Sequence, residues 1–519
     1  MASRTIRQLL RDITPYLVLL ILVSTLGSLQ FGYHLAELNA PQDVITCHKK
    51  SISAAVRAAG WASRAIDKSN STGDDSKKGF LQKCIPMSEA AFATISSMFT
   101  VGGLMGALAA GPLASKRGRL FVMTLTSVLY GIGAATEALS SSVAAMCIGR
   151  LLSGVGAGAS TVIVPLYISE ISPPAERGFF GAMTQVSINI GILLTQTLGY
   201  FLSHGKAWRL IFSVGICIAA AHNIALCFVP ESPAWLAANG DPTKAKRTLQ
   251  RIRGSGYDIH EETSHWGGDG ATSSRDSEEE GLLNQTDEAA PPLPTSSRRG
   301  RHMGFMEVVQ DATTRPAIIA VVGIMVIQQF CGINSIIMYS VSLLADLLPI
   351  HSALLTIIIS GVNLVMTIAC APLPDRLGRK ACLLISIFGQ GSSSLALALS
   401  IAFGAKVISA VAVLFFVAFF AVGLGPVPFI MASELVGQEA VGATQSWCLA
   451  ANYVATFVVA QFFPLVNTAL NNALGKAGWV YLLFSALALA GGVFVLVKVP
   501  ETKGKRDADE VWGRARRLD

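Results

Sequence analysis

Charge is scarce in this 519-residue chain: Asp, Glu, Lys and Arg make up 14% of it, and hydrophobic residues 52%. Soluble domains carry about 25% charged residues, so an ordinary water-soluble module is excluded and the membrane class indicated. No basic patch with interleaved aromatics occurs. The net charge of +7 therefore reads as loop charge beside apolar runs rather than as nucleic-acid affinity. The nine cysteines form no CxxC pair and no Cys/His set at metal spacing, which removes zinc and dithiol redox chemistry. Cys147, Cys217, Cys331 and Cys370 fall in apolar runs as small packing residues. No serine, cysteine or carboxylate pair stands beside a base in a candidate cleft, and no phosphate-binding loop follows a strand. Neither an enzyme activity nor a cofactor or metal is expected.

What the chain has in quantity is apolar runs. Twelve are long enough to cross ~30 Å of hydrocarbon as helices: 15–35, 89–110, 120–139, 143–167, 180–202 and 208–228, then 316–345, 352–373, 381–403, 407–432, 443–466 and 477–498. The fold expected is an all-α membrane protein of two six-helix bundles, at 15–229 and 316–499. Around them lie an N-terminus (1–14), a loop between spans 1 and 2 (about 40–88), a connection (230–315) and a tail (500–519). The first run is read as a retained helix rather than a cleaved signal peptide. Arg4, Arg7, Arg11, Lys116, Arg117, Arg119, Arg177, Arg376, Arg379, Lys380 and Lys503 all fall at one end of the bundle, which places both termini in the cytosol.

The loop between spans 1 and 2 then faces the lumen or exterior, where Asn70-Ser71-Thr72 is a glycosylation acceptor. Cys47 and Cys84 flank that loop and are a candidate disulfide in the same compartment. The connection begins with a basic amphipathic stretch, Pro242 to Arg253. From Gly254 to Arg301 it is too polar to bury a core and is expected to be disordered. Within it Glu278 stands four residues before Leu282-Leu283, a pattern similar to an acidic dileucine sorting signal read by a clathrin-type adaptor. The signal would direct the chain to a vacuolar or lysosome-like membrane, whereas a chance Leu-Leu pair leaves the plasma membrane.

Span 7 carries Gln328, Gln329 and Asn334 around Gly332. Amides in a bilayer are expensive, so they either join helices or meet a hydroxyl-rich ligand. A duplication bears on the choice. Gly111 to Arg119 recurs as Ala371 to Lys380, Pro230-Glu231-Ser232 as Pro500-Glu501-Thr502, and Glu170 as Glu434. Parallel repeats place a substrate site at their interface near the bilayer midplane, which favours the ligand. The charged landmarks (Lys116, Arg119, Glu170, Arg177, Glu231, Asp375, Arg376, Arg379, Glu434) also have two readings. They pair across the halves when the cytosolic mouth shuts, or they serve only as topology signals.

These motifs carry a resemblance. Gly27 to Tyr33 with Asn39 to Gln42, Gly149-Arg150, Pro165 to Pro173, Gln328 to Asn334, Asp375 to Arg379, Gly423 to Pro428 and Pro500 to Lys503 are similar to the sugar porter family of the major facilitator superfamily. The likeness is greatest to facilitative glucose transporters and fungal relatives, and it covers all twelve spans. It implies a major facilitator fold and a sugar site from Gln185 and Ile192 on span 5, Gln328, Gln329 and Asn334 on span 7, Asn363 on span 8, Phe429 on span 10, and Asn452 and Tyr453 on span 11. Phe429 replaces a tryptophan, and Tyr339 resembles an outer gate. Where proton-coupled members carry an acid opposite the Arg150 position, this chain has His34, with Glu37 one turn on. Beside Arg150 a neutral His34 is expected, which implies an uncoupled carrier. Ser115, Ala234, Ala421 and Val441 replace charged or polar family residues, which implies a weaker cytosolic latch and a less favoured outward-facing state. The activity implied is facilitative transport of a hexose-type sugar by alternating access. The alternatives are a proton-coupled sugar or polyol carrier using His34 and Glu37, and a non-transporting sensor.

Overall fold

The computed structural model describes residues 13–47, 82–173, 176–254, 257–263, 266, 305–344, 352–437, 440–475, 478–505 and 508–513. Asn70, Glu278, Leu282 and Leu283 lie outside these. The described residues form helices joined by short connections, with no strand among them. The membrane-length helices are Pro15–Ala36, Glu89–Arg117, Arg119–Leu139, Val143–Ile171, Arg177–Leu202 and Trp208–Leu226 in the first half. In the second they are Arg315–Tyr339, Ala353–Cys370, Arg379–Ala402, Lys406–Glu434, Val441–Leu474 and Trp479–Lys498. They are spans 1 to 12. The helices outrun the apolar patches because basic and polar residues continue the backbone bonding past the hydrocarbon, as Lys116 and Arg117 do at the end of span 2.

Two spans are broken. Span 7 consists of helices Arg315–Phe330 and Ile333–Leu344 about Gly332, and span 10 of Lys406–Val422 and Val427–Glu434 about Gly423 to Pro426. Pro426 offers no N–H, and Gly332 sits at φ +95°, a conformation that disfavours a side chain.

The duplication is visible at the level of single hydrogen bonds. Arg119 N–H donates to Glu231 Oε1 at 2.9 Å, and Arg379 N–H to Glu501 Oε1 at 2.9 Å. Arg119 pairs with Glu170 at 2.7 Å, and Arg379 with Glu434 at 2.9 Å. Both arginines also donate to a carbonyl five residues back, Ala114 and Pro374. Gly118 (φ +97°) and Gly378 (φ +104°) turn the chain in front of these acids. A Cβ at either position would lie 2.3 Å from Glu231 Oε2 or 2.6 Å from Glu501 Oε2.

The halves meet chiefly through spans 2 and 11 and through spans 5 and 8. At the end opposite the basic residues one apolar core joins them, with Leu38, Phe92 and Ile95 from the first half against Ile336, Tyr339 and Phe463 from the second. Ser97 Oγ donates to Gln461 Oε1 at 2.7 Å, and Asn39 Nδ2 to the Ile337 carbonyl at 2.9 Å, both across the halves. Toward the basic end each half keeps its own core, one around Tyr167 and Ile168, the other around Met431 and Leu435. The structure is thus sealed at the end away from the basic residues.

The basic stretch forms the helix Pro242–Arg253, capped by Asp241, whose Ala245, Leu249 and Ile252 are buried. It docks on the first half through Thr14 Oγ1 to the Ile252 carbonyl and Arg253 to the Ile171 carbonyl. Part of the stretch expected to be disordered from Gly254 has a described structure. Residues 257–263 are described, and Arg253 holds Glu262 at 2.8 Å because burial of the guanidinium calls for a partner acid. Cys47 and Cys84 are joined as a disulfide, Cα to Cα 5.3 Å.

Candidate functional site

The two breaks build the site. Where span 10 opens, the carbonyls of Leu424 and Gly425 leave the helix ladder, and Gln328 Nε2 donates to both. Where span 7 opens at Gly332, Asn334 folds back so that its Nδ2 donates to Gln329 Oε1 at 2.5 Å, with Thr456 Oγ1 at 3.4 Å. Gln328 Oε1 accepts from Gln329 Nε2 at 3.2 Å and from Asn452 Nδ2 at 2.6 Å. Four amides from spans 7 and 11 thus form one strip, with Gln328, Gln329 and Asn334 buried and Asn452 half-buried.

Facing it across the halves, Asn189 on span 5 accepts at Oδ1 from Asn363 Nδ2 at 3.3 Å and from Gln185 Nε2 at 3.5 Å, and donates to Thr367 Oγ1 at 2.8 Å. A small cavity beside this pair is lined by Ile192, Gln196, Ile336, Ser360, Asn363 and Val417. Gln196 is buried there and its Oε1 has no partner. Asn189, Gln196 and Thr367 were absent from the sequence-derived set. Their signal was the one used for span 7, a polar group in an apolar run, here four residues apart from Gln185 to Asn189 and on one helix face.

Three residues of the set stand apart from the strip. Phe429 is 44% exposed and points away from the buried face of its helix, which is Val427, Pro428, Met431 and Ala432. Tyr453 packs its ring on the backbone of Gly103 in the other half and shares a 3.3 Å hydrogen bond with Thr161 Oγ1. It is an interface residue in this state rather than an open platform, because spans 2 and 11 close over it. Tyr339 lies in the seal, donating to the Ala460 carbonyl at 2.8 Å and stacking on Phe463, with Phe92 of the first half edge-on.

The charged landmarks pair within each half; the cross-half pairing was expected of a shut basic end, which is not the state of this structure. Glu170 and Glu231 serve Arg119, while Glu434, Glu501 and Asp375 serve Arg379. The physical reason is the state: with the opposite end sealed, the basic ends of the halves share no core, and each acid bonds the nearest arginine. Lys116, Arg177 and Arg376 are exposed. Burial works against the Glu501 carboxylate, but N–H groups of Lys503, Arg379, Lys380 and Thr502 outweigh it and hold the carboxyl below its ordinary value.

A second cluster sits near the sealed end of spans 1, 3 and 4. Arg150 Nη1 donates to Glu37 Oε1 and to the His34 carbonyl, both at 2.6 Å, and the guanidinium lies 4.4 Å over the Phe99 ring. His34 Nδ1 is 2.9 Å from Glu37 Oε2, so the imidazole bonds the acid, while the guanidinium expected beside His34 sits on its carbonyl. Glu137 on span 3 joins this cluster and was not foreseen.

The profile of the family described as "Sugar (and other) transporter" matches residues 20–509. The chain is 34% identical over 505 residues to the "Probable metabolite transport protein YBR241C" of Saccharomyces cerevisiae, covering 96% of each. It is 28% identical to the human "Solute carrier family 2, facilitated glucose transporter member 3", covering 96% of this chain and 92% of that one. Among solved structures it resembles a partially occluded inward open conformation of the xylose transporter XylE from E. coli, with TM-score 0.70 and 23% identity, covering 95% and 100%. That likeness shows a shared major facilitator fold.

Proposed function

The chain belongs to the sugar transporter family, and on that premise we propose that it carries a hexose-type sugar across its membrane by alternating access, without coupling to an ion. The observation that supports this most directly is the buried strip Gln328–Gln329–Asn334–Asn452 facing Gln185, Asn189 and Asn363 at the interface of the halves. Neutral amides each offer donors and an acceptor, and adjacent sugar hydroxyls offer the same in return, so sugar replaces amide–amide bonds at little net cost. Ile192, which lines the cavity beside Asn363, supplies apolar surface for the C–H side of the sugar ring.

The basic end is cytosolic in this reading, and the structure corresponds to the state closed toward the lumen or exterior. The sets Arg119–Glu170–Glu231 and Arg379–Glu434–Glu501 keep each half's cytosolic end rigid, so that the halves rock as bodies. Asn70 is the glycosylation site of the outer loop. Glu278, Leu282 and Leu283 direct the chain to a vacuolar or lysosome-like membrane. The test is reconstitution in vesicles: downhill uptake of a labelled hexose is expected at equal pH on both sides. Uptake of no hexose or polyol with or without a pH gradient would remove the reading, and uptake only with a gradient would turn it into the proton-coupled alternative through His34 and Glu37.

A further inference from the structure

The cavity beside Asn189 and Asn363 is walled from both halves. On span 5, Ile192 and Gln196 stand one turn apart on one helix face, and on span 8 Thr356, Ser360 and Asn363 do the same. Its apolar walls include Ile336 and Val417, which belong to the core that seals the end away from the basic residues. The cavity therefore runs outward from the amides and ends under the seal. Its volume is about 20 Å³, whereas one water needs roughly 10–15 Å³. That is room for one hydroxyl and the carbon that bears it. The polar atoms of the wall are of one kind. Thr356 Oγ1 donates to the Ala353 carbonyl and Ser360 Oγ to the Thr356 carbonyl, both at 2.8 Å, so toward the cavity each hydroxyl only accepts. Gln196 is 2% exposed, and its Oε1 has no donor. A buried amide oxygen left in this way costs free energy until a donor reaches it. No charged side chain is among the described residues that line the cavity.

We propose that this cavity is the subsite for the primary hydroxymethyl group of a hexopyranose, with Gln196 Oε1 accepting the proton of its hydroxyl. This rests on the sugar site of the transport reading and names the class of sugar that site takes. Ile192 and Asn363 belong to that site and also line the cavity, so a ring held beside them sends its hydroxymethyl arm outward between spans 5 and 8. The methylene lies against Ile336 and Val417, and the hydroxyl donates to Gln196. A pentopyranose has a hydrogen in place of the arm and leaves the amide oxygen unpaired. A 6-deoxyhexose fills the space with a methyl group and leaves it unpaired too. A hexuronate brings a carboxylate, which only accepts, to a wall of acceptors with no cation to balance it. The cavity thus selects neutral hexoses with a free primary hydroxyl, and Gln196 is the specificity-determining residue. Because Ile336 and Val417 come from the sealing core, the subsite is complete only while that end is shut, and a hexose that fills it favours closure.

Binding to the full-length protein in detergent, read as the rise in unfolding midpoint with sugar concentration, tests the subsite without any flux. D-glucose, 6-deoxy-D-glucose, D-xylose and D-glucuronate are compared, with L-glucose as the control for stabilisation that needs no site. D-glucose is expected to bind roughly 2- to 10-fold more tightly than 6-deoxy-D-glucose or D-xylose, the worth of one neutral hydrogen bond, and D-glucuronate to give no shift. Gln196→Leu removes the acceptor at nearly the same bulk and brings glucose and its 6-deoxy analogue to within twofold of each other. Ser360→Leu fills the cavity and weakens glucose more than xylose. Equal binding of glucose and 6-deoxyglucose by wild type, or a Gln196→Leu protein whose preference is undiminished, would mean that the cavity holds water only and would overturn the subsite. A Ser360→Leu protein that loses xylose as fully as glucose would overturn it as well. Uptake into vesicles is scored separately. Hexose uptake without the preference strikes the subsite alone, the preference without uptake strikes the transport reading alone, and binding of none of the sugars removes both.

Discussion

Replacing Asn334 with alanine separates a sugar site from helix glue. Asn334 Nδ2 makes two bonds, 2.5 Å to Gln329 within its own span and 3.4 Å to Thr456 on span 11. Only the second joins two spans. If the strip merely glues helices, the mutation removes one interhelical bond, for which membrane proteins average about 0.6 kcal/mol. The protein would then lose a little stability and transport normally per folded molecule. If the strip binds sugar, the amide exchanges those two bonds for sugar hydroxyls. At ~0.5–1.5 kcal/mol net for each neutral bond, the loss is ~1–3 kcal/mol of sugar binding. That corresponds to roughly 5- to 150-fold in uptake at subsaturating sugar. The assay is initial-rate uptake of labelled hexose into vesicles, normalised to protein, beside a thermal unfolding curve in detergent. Uptake within twofold of wild type would refute the assignment whatever the unfolding curve shows.

Gly378→Ala forces a side chain into the left-handed region and to within 2.6 Å of Glu501 Oε2. A cost of about 1–3 kcal/mol and a lower midpoint of thermal unfolding are expected, and an unchanged midpoint would contradict the account of the turn. Glu501 is held below its ordinary value, so its contribution to stability is present above the unfolded carboxyl value and is lost as pH falls through and below about 4.5. Glu501→Gln is therefore less stable than wild type at neutral pH, and the gap narrows on acidification. A gap that widens in acid would reverse the sign and sink the assignment. Changing Leu282 and Leu283 together to alanine is expected to move tagged protein to the cell surface, and microscopy showing no movement would discard the sorting signal.

How much of this was legible in the sequence depends on whether a feature is local. Both breaks fall at residues with a backbone meaning, Gly332 and the Gly423 to Pro426 run, yet both spans were read as continuous, because glycine and proline permit a break without requiring one. Gly118 and Gly378 were legible as a repeat, and their reason became visible only when Glu231 and Glu501 appeared in front of them. The identity of a partner is different. That Arg119 and Glu170 interact was open to inference, but whether acid and base meet within a half or across the halves depends on which end of the bundle is shut, which no local pattern encodes. The same limit hid Glu137. It lies in the apolar run of span 3, where an acid is as anomalous as the amides of span 7, so the rule that singled out Gln328 and Asn334 applied equally to it. Helical periodicity places Glu137 on a face without saying that the turn Gly149 to Ser153 packs on that face or that Glu37 arrives from another span. An anomalous residue in a bilayer is therefore found from sequence by its cost, and its role is found from the group that offsets that cost. For Glu37 the group is Arg150, whose Nη1 donates to Oε1 at 2.6 Å; for Glu137 it is Ser153, whose hydroxyl donates to Oε1 at 3.0 Å.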